Sequence, residues 1–283
     1  MKRGEEGLEK AYDDTVHRIE NLGPGIRELA KRVLFWVIYV RRPLTKEELR
    51  HALAVEPETC KLDETNLCPV KDMVASCAGL VIADSNTVRL VHYTAQEYFQ
   101  LRGLKGVQRD MIATSCLTYL SYDAFAKGYL TGSDLESRLR QNAFFKYAAQ
   151  NWAYHIQDAK QSVGDLVLKF LMDDGKASAS SQSLFQYAPQ QFCGMHLVAY
   201  FGLNDIMVRL LEEKDPDTKD SDGRTPLSYA VEKGNAQLVK LLLDYNADIN
   251  SKCNAGSTPI SRAMTGGNEA VVQILLAKRS ESN

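Results

Sequence analysis

The 283-residue sequence predicts a mainly α-helical fold ending in a solenoid of stacked helix pairs, and three observations carry that prediction. DGRTPLSYAVEKGNAQLVKLLL from Asp222 and AGSTPISRAMTGGNEAVVQILL from Ala255 are one pattern written twice, with Thr225 and Thr258 33 residues apart. A fixed period of this size marks units that cannot bury their apolar faces alone and therefore stack on one another. Most other apolar residues recur at helical spacing, from Ile26 to Val40 and again between Gln108 and Asp173. The one extended stretch, LVIADSNTVRLVHY from Leu80, follows three short helical segments and reads as a small β-hairpin.

The first helix starts after the breaker Gly23-Pro24-Gly25 and stops before Arg41-Arg42-Pro43. Thr45 and Glu48 form a capping box, the hydroxyl accepting from the Glu48 amide and the carboxylate reaching back to the Thr45 amide, which starts a second helix through Leu49, Ala52 and Leu53. Met73, Val74, Cys77 and Leu80 outline a third, and the two extended runs then meet around Asp84 to Thr87. Three helices and a hairpin is the winged-helix order. Thr94 and Glu97 read as another capping box, opening a helix through Tyr98 and Phe99. MIATSCLTYL, NAFFKYAAQNWAYH and DLVLKFLM are the apolar cores of the next helical segment, with Gly128 to Ser133 between the first two. SASSQS, ending at Ser183, reads as a loop or linker, because its residues are small and polar. In each clear repeat Thr225 or Thr258 caps a helix, Pro226 or Pro259 sits in the first turn where no N–H is missed, and Gly234 or Gly267 supplies the positive φ that ends it. Met195 to Leu211 aligns as a divergent first copy if Gly202 matches Gly234, with Cys193-Gly194 in place of Thr-Pro. The organisation expected is a winged helix over 26–104, a helical spacer over 108–183, and repeats over 190–283, divided as 190–220, 221–253 and 254–283.

Composition narrows the function. A net charge of −2 gives no general attraction to nucleic acid or anionic lipid. The candidate recognition helix and its approach set Asp63, Glu64 and Asp72 against Lys61 and Lys71, and DNA phosphates would repel this net-acidic segment. Arg41, Arg42, Lys46 and Arg50 read as a solvated basic face. The six cysteines show no CxxC pair or disulfide spacing, the N-terminus lacks a secretory apolar run, and the longest apolar run, Val33 to Val40, is too short to span a bilayer. A cytoplasmic protein is expected. No HExxH, GxSxG or GxxxxGK[ST] occurs, so no metal, catalytic residue or cofactor is expected.

The repeat pattern resembles the ankyrin repeat, which implies protein binding through hairpin tips and the exposed side of the first helix. On that resemblance the partner-facing residues are Ser221, Asp222, Arg224, Glu232 and Lys233 in one repeat, Asn254, Ala255, Ser257 and Thr265 in the next, and Tyr200 and Phe201 in the divergent copy. RVLFWVIYVRRPLTKEELRHALAV and DMVASCAGLVIADSNTVRLVHYTAQEYF resemble the winged-helix segment that follows the NACHT domain in fungal NOD-like receptors with ankyrin repeats, a segment similar to that of GPI inositol-deacylases. FFKYAAQNWAYH and MHLVAYFGL match that family's spacer and first repeat. GLEKAYDDTVHRI resembles the end of a NACHT module, which makes 1–22 the tail of a NACHT-like segment, although the phosphate-binding loop is missing. In the wider receptor class, a histidine at the end of the winged helix contacts the bound diphosphate, and His92 in Val91-His92-Tyr93 matches that position. The plainer expectation is that neighbours satisfy His92 at a strand end; the sensor role requires a NACHT-domain protein in trans.

Overall fold

The computed structural model describes residues 2–104, 110–159, 163–185 and 187–281. The helical pattern expected to begin at Gln108 therefore starts outside the described residues. The chain forms two compact units, Met1–Tyr119 with Leu139–Ala159, and Leu120–Arg138 with Lys160–Asn283.

The first unit begins with α1 (Lys2–Glu20) and α2 (Pro24–Tyr39), continues through β1 (Leu44–Thr45), α3 (Lys46–Leu53), α4 (Val70–Ser76), β2 (Val81–Ala83), β3 (Thr87–Leu90) and α5 (Tyr93–Arg102), and goes on into α6 (Met111–Leu120). α7 (Gly132–Gln141) straddles the division, and α8 (Phe145–Ala159) completes the unit. Val33, Leu34, Trp36 and Ile38 of α2 are buried, and Trp36 meets Phe144 edge-on at 5.4 Å between ring centroids. The capping box is present: the Glu48 amide donates to Thr45 Oγ1 at 3.1 Å and the Thr45 amide to Glu48 Oε2 at 2.8 Å. Arg42 adds a two-pronged bond to the same carboxylate, at 2.8 and 2.6 Å.

Four local expectations need correction here. The hairpin is a three-stranded sheet of order β1-β3-β2, because Leu44 and Thr45 pair with Val88 and Thr87; a two-residue strand has no period to read. α4 ends at Ser76, short of Leu80, since Ala78 and Gly79 take positive φ values of 51° and 90°. α5 is capped by His92, whose Nδ1 accepts from the Thr94 amide at 3.3 Å; Thr94 lies inside the first turn and bonds Tyr12 Oη at 2.6 Å. The basic residues are not a free solvated face, since Arg42 is held by Glu48, Lys46 donates to Ser85 O, Arg50 donates to Cys68 O, and Arg41 lies over the Tyr154 ring at 4.0 Å.

In the second unit α9 (Gly164–Met172) and α10 (Asp174–Ser181) precede three helix pairs: α11 (Gly194–Phe201) with α12 (Asn204–Leu211), α13 (Pro226–Glu232) with α14 (Ala236–Asp244), and α15 (Pro259–Thr265) with α16 (Glu269–Glu281). SASSQS is not a linker: most of it lies in α10, where Ala177 to Ser181 are buried. Small residues suit that place because the backbone of α10 comes very close to its neighbour, and a Cβ on Gly175 would fall 2.3 Å from the Ala126 carbonyl oxygen. The buried hydroxyls are satisfied within the helix, Ser180 Oγ donating to Lys176 O at 3.1 Å and Ser181 Oγ to Ser178 O at 2.8 Å.

α9 and α10 pack on α11, so the stack has a non-repeat helical layer at its first end. That contact explains Cys193-Gly194: a Cβ on Gly194 would stand 2.0 Å from Leu171 O, which leaves no room for the usual proline. Gly202, Gly234 and Gly267 hold φ values of 74°, 68° and 68°, as the repeat pattern requires. Thr225 and Thr258 cap α13 and α15, accepting from Ser228 and Ser261 amides at 3.4 and 3.3 Å.

Candidate functional site

The turns between repeats are bonded to one another. The Ser221 amide donates to Gln190 O and the Gln190 amide to Ser221 Oγ, both at 2.8 Å. One repeat further on, the Asn254 amide donates to Asp222 O at 2.9 Å and Asn254 Nδ2 to Ser221 O at 2.8 Å. Ser221, Asp222 and Asn254 therefore hold the turns in register, with the exposed Asp222 carboxylate left at the rim.

Behind those turns lies a polar knot that spans two repeats. Asp220, buried, accepts the Asp222 and Arg224 amides on Oδ1 at 2.9 Å each and the Tyr229 hydroxyl on Oδ2 at 2.6 Å. The Arg224 guanidinium lies 3.8 Å over the Tyr229 ring, and its Nη2 donates to Glu232 Oε2. His196, fully buried, accepts the Cys193 amide on Nδ1 at 3.1 Å and donates from Nε2 to Arg224 O at 3.1 Å, which fixes the neutral tautomer with the proton on Nε2. Burial pushes the His196 pKa down, and the nearby Asp220 charge opposes this without cancelling it. Burial also raises the Tyr229 phenol, and its bond to Asp220 acts in the same direction.

Of the expected partner-facing residues, the structure joins Arg224 to Glu232, sets Lys233 Nζ 3.9 Å over the half-buried Tyr200 ring, and stacks Tyr200 edge-on against Phe201 at 5.1 Å. Ser257 and Thr265 are not part of this cluster: Ser257 O accepts the Cys253 amide, and Thr265 Oγ1 donates to Ser261 O within α15. Ala255 is exposed at the second turn. Sequence reasoning missed Arg262, Tyr229 and Asp220. Arg262 donates to Glu232 Oε2 at 3.4 Å and to Cys253 Sγ at 3.4 Å, so it couples the last repeat to the middle one. A signal existed, since Arg262 stands 33 residues after Tyr229 in the same repeat register.

In the first unit, His92 is exposed, with its ring 4.6 Å from that of Tyr93. It lines a cleft of about 320 Å³ with Arg41, Arg42, Arg89 and Tyr93. Among the described residues, no helix is long and apolar enough to cross a membrane.

These features define a helical-repeat protein that also carries a small winged-helix unit. Comparison with known families agrees: residues 195–283 match ankyrin repeats in three copies, and residues 19–110 match the winged helix domain of GPI inositol-deacylase. Ankyrin repeats and a winged helix of that type are both present. The chain is also similar to Delta-latroinsectotoxin-Lt1a of Latrodectus tredecimguttatus, 48% identical over 61 residues that make up 20% of this chain and 5% of the toxin.

Proposed function

We propose that this protein is a non-catalytic, cytoplasmic interaction protein of NOD-like receptor type, which binds a protein partner through the ankyrin face carrying Tyr200, Phe201, Ser221, Asp222, Arg224, Glu232, Lys233, Asn254, Ser257 and Thr265. In this reading residues 1–22 are the tail of a NACHT-like segment, 26–104 the winged helix, 108–183 the spacer and 190–283 the binding repeats. The observation that carries it is the Arg224 guanidinium stacked on Tyr229 and paired with Glu232, beside Lys233 on Tyr200. Arginine and tyrosine are the residue types that anchor interfaces. The full chain carrying Tyr200→Ala and Arg224→Glu is expected to lose partners captured from native cell extract while keeping its helical circular dichroism. Undiminished capture overturns the reading.

A second reading has its own support. The exposed His92 opens onto a cleft with three arginines, and among the described residues its Nε2 has no partner. On this reading the winged helix docks on a NACHT-domain NTPase in trans and biases its nucleotide state through His92. A NACHT protein lost on His92→Ala, but kept by the Tyr200/Arg224 double variant, would favour it over the first.

A further inference from the structure

The repeat face is short of carboxylates. Arg224 Nη2 and Arg262 Nη1 converge on one oxygen, Glu232 Oε2, although each guanidinium suits a carboxylate of its own. Arg224 Nε and Arg262 Nε are buried and, among the described residues, have no hydrogen-bond partner. Buried donors in native proteins are nearly always paired, so two such atoms in one cluster mark arginines incompletely matched by acceptors. Lys233 rests on the Tyr200 ring with no carboxylate partner among the described residues. Neither neighbouring acid makes an ion pair with these cations among the described residues. Asp220 is buried and occupied by Tyr229 and two amides, while the Asp222 carboxylate sits out at the turn. Two cations thus share Glu232, and a third, Lys233, lies on Tyr200 of the preceding repeat.

We infer that this face recognises an acidic segment of its protein partner, one whose carboxylate takes over a guanidinium now sharing Glu232. The inference rests on the reading of this face as the partner surface, and it adds the partner's chemistry. Arg262 is the exchangeable member, because its contacts with Glu232 and with Cys253 Sγ are both long at 3.4 Å and, among the described residues, it carries no cation–π stack like that of Arg224 on Tyr229. Glu232 then acts as an internal competitor that occupies the guanidiniums when no partner is bound.

That role makes an unusual prediction: removing the native carboxylate strengthens binding. Selection of a random 12-residue peptide library on the full chain is expected to enrich Asp and Glu at two or more positions. By fluorescence anisotropy, replacing those acids with amides weakens each selected peptide, and Arg262→Gln weakens it by roughly three- to five-fold. Glu232→Gln tightens it by a similar factor, and added salt reduces every difference. Melting curves of both variants check that the repeats stay folded. Peptides without acid enrichment that still lose binding on Tyr200→Ala/Arg224→Glu would overturn the acidic inference and leave the partner surface standing. Selected peptides indifferent to every substitution on this face would overturn both. Acidic peptides weakened by Glu232→Gln would overturn the competitor role and the inference with it.

Discussion

Replacing Gly194 with alanine tests whether the first repeat is welded to the helices before it. Repeat logic alone recommends the change, and even Cys193→Thr with Gly194→Pro, because Thr-Pro opens both clear repeats and proline suits the first helical turn. The structure argues the opposite. An added Cβ would lie 2.0 Å from Leu171 O, 2.8 Å from Leu171 C and 3.0 Å from Leu171 Cα, all of them backbone atoms of α9. Ordinary contact begins near 3.4 Å, so the two backbones must part by about 1.4 Å. Leu171 and Phe170 are fully buried, so that movement disturbs a packed core. Overpacking of this kind costs about 1–3 kcal/mol, while alanine's smaller backbone entropy loss returns up to about 1 kcal/mol. The net loss of about 1.5 kcal/mol corresponds to a melting point lowered by roughly 3–8 °C for a unit of this size. Thermal melts followed by circular dichroism measure it, with Gly25→Ala as control because a Cβ there meets nothing within 4 Å. A Gly194→Ala protein that melts at or above the wild-type temperature would refute the reasoning.

Three further outcomes are expected. His155 is buried with Nε2 2.8 Å from the Tyr147 hydroxyl, and burial, assisted by the Arg41 charge, holds its pKa down to about 4. The unfolded chain binds the proton first, so the first unit loses about 2–4 kcal/mol as pH falls from about 6.5 to 4. His155→Gln should flatten the dependence of melting temperature on pH across that window, and an unchanged slope would contradict this. Burial acts to raise the pKa of Glu48, but the Arg42 pair and the Thr45 donors outweigh it and leave it lowered. Glu48→Gln should therefore cost roughly 1–2 kcal/mol in denaturant titrations near neutral pH, a difference that fades as pH drops through that depressed pKa, below the ordinary glutamate value of about 4.3. Gly234→Ala faces both a φ of 68° and Asn268 Oδ1 at 2.8 Å, and should lower the stability of the repeat unit by about 1–3 kcal/mol in guanidinium titrations.

The repeats were legible because their signals are local and strongly typed: Thr caps, Pro in the first turn, and Gly where φ is positive all act within a few residues. The winged-helix helices were legible for the same reason, the Thr45–Glu48 box above all. What escaped depends on distant neighbours. β1 exists because β3 offers it a partner, and α10 reads as a linker until the Ala126 backbone is seen against Gly175. Gly194 looks like a decayed proline position, whereas Leu171 O requires glycine there. At the candidate site, Arg224 and Glu232 were found as exposed repeat positions. Arg262 and Tyr229 were not: Tyr229 is buried beneath the Arg224 guanidinium, and Arg262 reaches Glu232 only once the repeats are stacked.

The stacking also determines how rigid the surface is before any partner arrives. Backbone amides of the turn fix Asp220, Asp220 fixes the Tyr229 hydroxyl, and the Tyr229 ring carries the Arg224 guanidinium. The Arg224 carbonyl in turn accepts from His196 of the preceding repeat, whose helix is wedged against α9. Each link is a short contact between groups that are buried or nearly so. Ordering a long side chain on association costs about 0.5–1.5 kcal/mol, and here much of that ordering is complete in the folded chain. A partner meeting this face gains contacts with a guanidinium already in position. The exposed Glu232, held among the described residues by the two arginines it bridges, is the group left to move.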